Sequence, residues 1–242
     1  MMIKTNGIVL RTVKYGDASL VVDMLSEQCG RMAFMVRIPK SGKAKIRRNM
    51  FQPLTLLEVD FDMRQQTSLQ RIRDVRLLEP LPSLLLNPYK MTIGLFIAEF
   101  LLYATRDEQD NVLLYKYVEN SLRWLDGVQD KFANFHLVFM IRLSRFVGFL
   151  PLTEDYHEGD YFDMLNGCFC ENVPSHIHFL MPEDAAKIGL LMRLDYPTMH
   201  LCVMTRNERD RCLDVILEYY RLHIPGFPEL KSYPILKELY KA

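Results

Sequence analysis

Between Gln28 and Leu57 the chain carries no Asp or Glu, yet Arg31, Arg37, Lys40, Lys43, Lys45, Arg47 and Arg48 all fall there. Small and turn-forming residues (Pro39, Ser41, Gly42 and Ala44) space several of these cations into a loop. Such a loop can fit irregularly spaced phosphates and release the counterions condensed on them, which drives salt-sensitive binding. Arg11 and Lys14 add two cations on an adjoining stretch, while Tyr15, Phe34 and Phe51 are the aromatic residues near enough in sequence to stack on bases. The competing reading of the same run is a solvated charged face.

Other constellations are weaker. Cys168-x-Cys170 followed by His176-x-His178 offers zinc-ligand types, but a one-residue gap is tight for a zinc knuckle. Two thiols and two histidines in an irregular loop explain the same residues. Asp155, His157, Glu158, Asp160 and Asp163 cluster as a divalent-cation site would, or as a solvated polar loop would. Glu99 sits in an apolar helical face, and His223 closes a helix whose carbonyl end suits a cationic ring. The phosphate loop G-x-x-x-x-G-K-[ST], the dinucleotide fingerprint G-x-G-x-x-G and the nucleophile elbow G-x-S-x-G are all missing from the sequence. The reading is therefore a protein that is not an enzyme and needs no cofactor.

These residues must be positioned by the elements around them. At 242 residues with 49% hydrophobic and 25% charged composition, the chain reads as one or two globular domains. Formal net charge is zero, but it is unevenly spread. Residues 1–80 hold 14 Lys and Arg against 8 Asp and Glu, leaving 16 against 22 in residues 81–242. A basic front third thus precedes an acidic remainder. Five cysteines, an odd number, together with an opening that has no leader pattern, place the expected protein in a reducing cytoplasm. The most apolar run, Met91 to Ala104, is too short to span a bilayer and contains Glu99, so no membrane association is expected.

From Gly7 to about Leu78 the apolar residues come in short β-branched runs. Strands are expected at Gly7–Val13, Ala18–Leu25, Met32–Ile38, Leu54–Phe61 and Leu69–Val75, with a turn at Tyr15-Gly16-Asp17. Five short strands fit a Greek-key barrel of the OB type, and periodicity alone equally allows an SH3-like barrel. Past Pro80, Pro82 and Pro88 the period becomes helical. Helices are expected at Met91–Thr105, Val112–Leu125, Phe132–Phe149, Pro182–Leu194, Asn207–Leu222 and Pro234–Tyr240. The expected fold is α+β: an N-terminal five-stranded OB-type β-barrel over residues 1–80, then a mostly α-helical domain over residues 81–242. An irregular insert lies at about 152–180.

The ordered set of segments resembles the bacterial RecO family of recombination and repair proteins. Gly7-Ile8-Val9-Leu10-Arg11, Tyr15-Gly16-Asp17-Ala18-Ser19-Leu20-Val21-Val22 and Gly30-Arg31 resemble its opening. The basic loop and Phe51-Gln52-Pro53-Leu54-Thr55-Leu56-Leu57-Glu58-Val59 follow in the same order. Further on, the stretch Arg142 to Pro151 is similar to the family's helix ending in Gly148, an apolar residue and a proline. Tyr219-Tyr220-Arg221-Leu222-His223-Ile224-Pro225-Gly226-Phe227 with Leu230-Lys231-Ser232 is similar to its C-terminal signature.

The resemblance implies a mediator that binds single- and double-stranded DNA and anneals complementary strands. With RecR it would help place RecA on DNA coated by single-stranded DNA-binding protein, whose acidic C-terminal tail it would also bind. It implies no nucleotide hydrolysis, and association with the nucleoid during repair. Many members carry a four-cysteine zinc module built from two C-x-x-C pairs. Here Cys168-x-Cys170 stands alone, so the expectation is a module whose zinc is replaced by packing among Phe162, Leu165, Phe169 and Phe179. Two further classes compete: a protein–protein adaptor with weak DNA affinity, suited to the acidic helical part, and a metal-dependent nuclease using the Asp155–Asp163 cluster.

Overall fold

The computed structural model describes residues 1–39, 45–64, 66–109, 111–153 and 156–239. The chain divides into two compact units. One is Met1–Gly127 together with Leu230–Leu239, and the other contains Val128–Glu229.

In the first unit, five strands close into a barrel: β1 (Met2–Tyr15), β2 (Ser19–Ser26), β3 (Gly30–Arg37), β4 (Leu56–Asp62) and β5 (Leu69–Glu79). Their order is β1-β2-β3-β5-β4, with β4 returning to β1. The 14-residue β1 pairs antiparallel with both β2 and β4, which a bulge between Val9 and Arg11 helps it reach. Closure comes from β3 lying parallel to β5. This topology decides for the OB-type barrel over the SH3-like alternative. Two-residue alternation fills the inside: Leu57, Val59 and Phe61 of β4 enter the core while Glu58, Asp60 and Asp62 do not. Phe34 meets Phe61 edge to face at 5.0 Å across that core. β4 starts two residues later than its apolar run, because Leu54 takes a left-handed φ of 64° and its N–H turns to the Val9 carbonyl.

Three helices follow in the same unit: α1 (Pro82–Leu86), α2 (Pro88–Ala104) and α3 (Val112–Gly127). Asn87 caps α2, its Oδ1 accepting from Tyr89 N and Lys90 N, and Pro88 fills the first turn. Lys90 is buried, and its Nζ donates to Ser83 Oγ at 2.7 Å and to the Asp126 carbonyl at 2.9 Å. Burial lowers its pKa, with Asp126 opposing. That cation joins α1, α2 and α3. Glu99, half-buried on α2, accepts from the backbone N–H groups of Lys231 and Ser232 and from the Ser232 hydroxyl. It thereby anchors the start of the terminal helix Tyr233–Glu238, which gives Leu230-Lys231-Ser232 its physical role.

The second unit holds α4 (Phe135–Leu143), α5 (Pro182–Arg193) and α6 (Arg206–His223), with Tyr233–Glu238 counted last as α7 of the first unit. Seven α-helices in all are found among the described residues. α4 is shorter than its apolar run, since the Ser144 hydroxyl bonds back to Ile141 O and Gly148 turns the chain at a φ of 90°. α6 opens on a capping box, Thr205 with Glu208. The insert forms three short strands, β6 (Tyr161–Asp163), β7 (Cys168–Cys170) and β8 (Phe179–Leu180), ordered β7-β6-β8. Phe149 packs against Tyr220 at 4.9 Å and stacks on His223 at 5.1 Å, and Tyr219 Oη donates to its carbonyl at 2.9 Å. Two separate signatures of the sequence therefore form one packed cluster. No described helix is long and apolar enough to cross a membrane.

Candidate nucleic-acid interface

Strand register gathers one set of exposed residues at one end of the barrel. Tyr15 of β1 pairs with Ser19 of β2, and Ser19 with Arg37 of β3. Directly opposed residues share a face, so Tyr15, Ser19 and Arg37 form a row across three strands. At about 4.8 Å between strands, Tyr15 and Arg37 stand about 10 Å apart along it. Tyr15 is 61% exposed. One residue inward, Lys14 pairs with the core residue Leu20, which places Lys14 at the barrel mouth.

The 3-10 turn Arg48–Phe51 forms the other wall of that mouth. Phe51 is buried in the barrel core, and its carbonyl accepts the Thr12 hydroxyl at 2.6 Å. This pins the turn to β1 and leaves Arg48 on the rim. Between them lies a groove of about 550 Å³ lined by Thr12, Lys14, Leu20, Arg48 and Phe51 among others. Lys14, Arg37, Lys45, Arg47 and Arg48 are all exposed. Such an array can hold phosphates along a backbone, and phosphate contacts carry no base identity.

Other residues of the expected set stand elsewhere. Lys40 and Lys43 lie outside the described residues. Arg31 is a structural cation, because its side chain is 14% exposed and its Nη2 pairs with Asp23 at 2.8 Å. Its Nη1 donates to the Leu102 carbonyl at 2.8 Å. Burial lowers its pKa although Asp23 opposes that shift. Arg11 shares Asp23 at 2.7 Å, with its own side chain half-exposed. Phe34 and Phe51 are 0% and 1% exposed, which corrects the expectation that they stack on bases: rings that fill the barrel core offer no face to a ligand. Tyr15 alone of the three aromatics is accessible.

Arg71 was not among the expected cations. It is exposed on β5 and registers with Met35 of β3, two residues before Arg37. The alternation Gln70-Arg71-Ile72-Arg73, with Gln70 buried, is the signal that places it outward. Its neighbour Arg73 is ion-paired with Asp62.

The insert is held by hydrogen bonds and rings. Asp163 accepts from Leu165 N at 2.9 Å, Asn166 N at 3.0 Å and Asn166 Nδ2 at 2.7 Å, with His176 Nε2 at 3.2 Å. Burial would raise this carboxyl, but the bonds from Asn166, His176 and Leu165 hold it below the usual carboxylate range. Cys168 and Cys170 flank the buried Phe169 on β7, so both thiols share the opposite face. The Cys170 thiol reaches the Tyr161 carbonyl at 3.9 Å and burial raises its pKa. The His176 and His178 rings are 6.5 Å apart. Among the described residues, no three His, Cys, Asp or Glu side chains converge as a metal site. Phe162 packs on Phe169 at 5.0 Å and Phe179 on Tyr161 at 5.9 Å, whereas Leu165 is 42% exposed and outside this packing. Of the acidic cluster, Asp160 caps the turn at His157 N, and Asp155 lies outside the described residues. His223 Nε2 donates to the Met164 carbonyl at 2.9 Å, not to the carbonyl end of its own helix.

Comparison with known proteins bears on the whole chain. The family description "Recombination protein O N terminal" matches residues 1–81, and "Recombination protein O C terminal" matches residues 85–234. The chain is 49% identical over 240 residues to the DNA repair protein RecO of Phocaeicola vulgatus, covering 99% of this chain and 100% of the relative. It is 49% identical over 241 residues to the DNA repair protein RecO of Bacteroides fragilis, with the same coverage. Against the DNA repair protein RecO of Flavobacterium psychrophilum, identity is 31% over 242 residues, again 99% of this chain and 100% of the relative. With both halves matched in order and full-length relatives well above the level at which a family is shared, the chain belongs to the RecO family of DNA repair proteins.

Proposed function

We infer that this protein is a non-enzymatic recombination mediator whose barrel mouth holds DNA. The observation that carries the reading is the groove that Lys14 and Arg48 line at one end of an OB-type barrel, with the exposed Tyr15 and Arg37 in the adjacent row at the same strand ends. Lys45 and Arg47 extend the same rim, and Lys40 and Lys43 belong to the segment between. Cations bound along two backbones screen their repulsion and leave base edges free, so annealing of complementary strands follows from the same surface. Binding extends to single- and double-stranded DNA because phosphates are common to both. Membership of the family supports action with RecR, contact with the acidic tail of single-stranded DNA-binding protein, and delivery of RecA, in the cytoplasm. The residues 81–242 that follow the barrel are the proposed helical partner-binding domain.

Strand annealing tests the reading. Two complementary labelled oligonucleotides should pair faster with the wild-type protein than alone, and Lys14→Glu/Arg37→Glu/Arg48→Glu should remove most of that acceleration. Annealing unchanged by the triple reversal would transfer the assignment to the protein adaptor, a reading favoured by the acidic excess of residues 81–242.

A further inference from the structure

The closing strand β5 has a partner on each side for only a few residues. Its pairing with β3 ends at Met35 with Arg71, whereas its pairing with β4 continues to Glu79. Past Arg71, among the described residues, no strand lies on its other side. Val75 is buried, but Arg76, Leu77 and Leu78 are exposed in succession, with Leu77 at 48% and Leu78 at 38%. A strand with one face on a core alternates, so this stretch meets solvent on both faces. An open edge that carries two exposed leucines is a template for pairing with another chain.

The charges on this edge are self-complementary. In a two-fold antiparallel pair of identical strands, residues equidistant from the central one stand opposite each other. Centring on Asp74 sets carboxylate against carboxylate, and centring on Arg76 sets guanidinium against guanidinium. Centring on Leu77 opposes Arg76 to Leu78 and Val75 to Glu79, with no charge pair. Centring on Val75 opposes Asp74 of each copy to Arg76 of the other and Arg73 to Leu77, with no like charges together. Within one chain Asp74 already lies directly opposite Asp60 of β4, an unfavourable pair that Arg76 Nη2 of the same strand meets at 3.6 Å. A second cation arriving from the open side answers it.

We propose that two copies of this chain associate through β5, antiparallel about Val75, so that the β4–β5 sheet of one barrel continues into that of the other. The backbone edges supply the hydrogen bonds. Two reciprocal pairs of Asp74 with Arg76 set the register, and Leu77 of each copy lies beside the aliphatic stem of Arg73 in the other. β5 is irregular at Arg73, where its register with β4 shifts between Asp60 and Phe61. That irregularity ends the regular ladder, which makes the contact short and the dimer concentration-dependent. Exposed charge pairs contribute register and choice of partner more than affinity. A dimer carries two barrel mouths, one for each strand to be annealed; that consequence rests on the DNA reading above, while the pairing does not.

Charge reversal tests the pairing in the absence of DNA, so its outcome is separate from that of the DNA reading. In sedimentation velocity, the full-length wild-type protein should move from monomer toward dimer over an about hundredfold rise in concentration. Asp74→Arg sets two arginines of one copy against two of the other, and Arg76→Asp does the same with aspartates. Each variant should weaken self-association by about tenfold or more. Mixing the two variants should restore it, because every arginine then faces an aspartate, and Asp74→Arg/Arg76→Asp in one chain should dimerise like wild type. Both side chains are at least one-third exposed, so thermal midpoints should stay near wild type and a loss of dimer is not a loss of fold. Wild type that stays monomeric at every concentration would overturn the proposal. Single variants that dimerise as well as wild type, or a mixture that does not recover, would overturn it too.

Discussion

Asp23 is the residue on which the outer face of the barrel turns. It is 5% exposed and serves two guanidinium groups, Arg11 and Arg31, from the strand between them. Removing one partner of a buried pair strands the other charge, which costs about 3–5 kcal/mol. Asp23→Ala should therefore lower unfolding free energy by roughly that amount in urea titrations. Arg11→Ala should change it by less than about 1 kcal/mol, because its half-exposed side chain is screened by water. Equal effects would contradict the division into one structural and one surface arginine. In the second unit, His136 is buried and its pKa is pushed down to about 3, first by burial and then by Arg209. A depressed folded pKa means that the unfolded chain takes up the proton first, so the stability it contributes is present above pH 6.5 and lost as pH falls toward 3. Between pH 7 and 5 the loss should be about 2 kcal/mol by circular dichroism, and His136→Gln should flatten that slope. An unaltered slope in the variant would place the acid sensitivity in other groups.

At the scale of elements, the Gly30-Arg31 turn shows how a short motif acquires a physical meaning. Gly30 has a φ of 62°, and a Cβ there would lie 2.2 Å from the Gln109 carbonyl oxygen. The next N–H, from Arg31, donates to the Glu108 carbonyl at 3.1 Å. Gly30→Ala must both adopt a left-handed conformation and push backbone away, so thermal unfolding should show a loss of at least about 2 kcal/mol. A neutral substitution would mean that the segment at 108–109 does not hold β3.

The barrel itself was legible, since Leu57, Val59 and Phe61 alternate with acids and helices announce themselves by their period after Pro80. The interface was legible in part. An acid-free run identifies cations, but burial decides which are available, and Arg31 and Arg37 look alike until Asp23 is seen beside only one. Likewise Phe34 and Tyr15 both lie on strands, and only strand parity and the closed core separate an inward ring from an outward one. Arg71 was missed because the strand that carries it reaches β3 through a parallel closure that no local pattern reveals.

At the scale of the whole molecule, a formal charge of zero conceals a basic front and an acidic remainder. Net charge therefore gives no guide to partners, and local clustering does: Lys14 and Arg48 line the groove at the barrel mouth, and Arg37, Lys45 and Arg47 are exposed cations of the proposed DNA surface. Counterion release converts that number into a slope. Neutralising about five phosphates of a single strand gives a log–log salt slope of about −3.5. Reversing Lys14, Arg37 and Arg48 removes about three of them and should bring the slope to about −1.4. Fluorescence anisotropy of a labelled single strand, titrated across a salt series with wild type and with this triple variant, tests the DNA assignment most directly. Wild type should show the steeper slope and the variant the shallower one, with weaker binding by the variant at every salt concentration. Equal slopes, or no binding by wild type at low salt, would contradict that assignment.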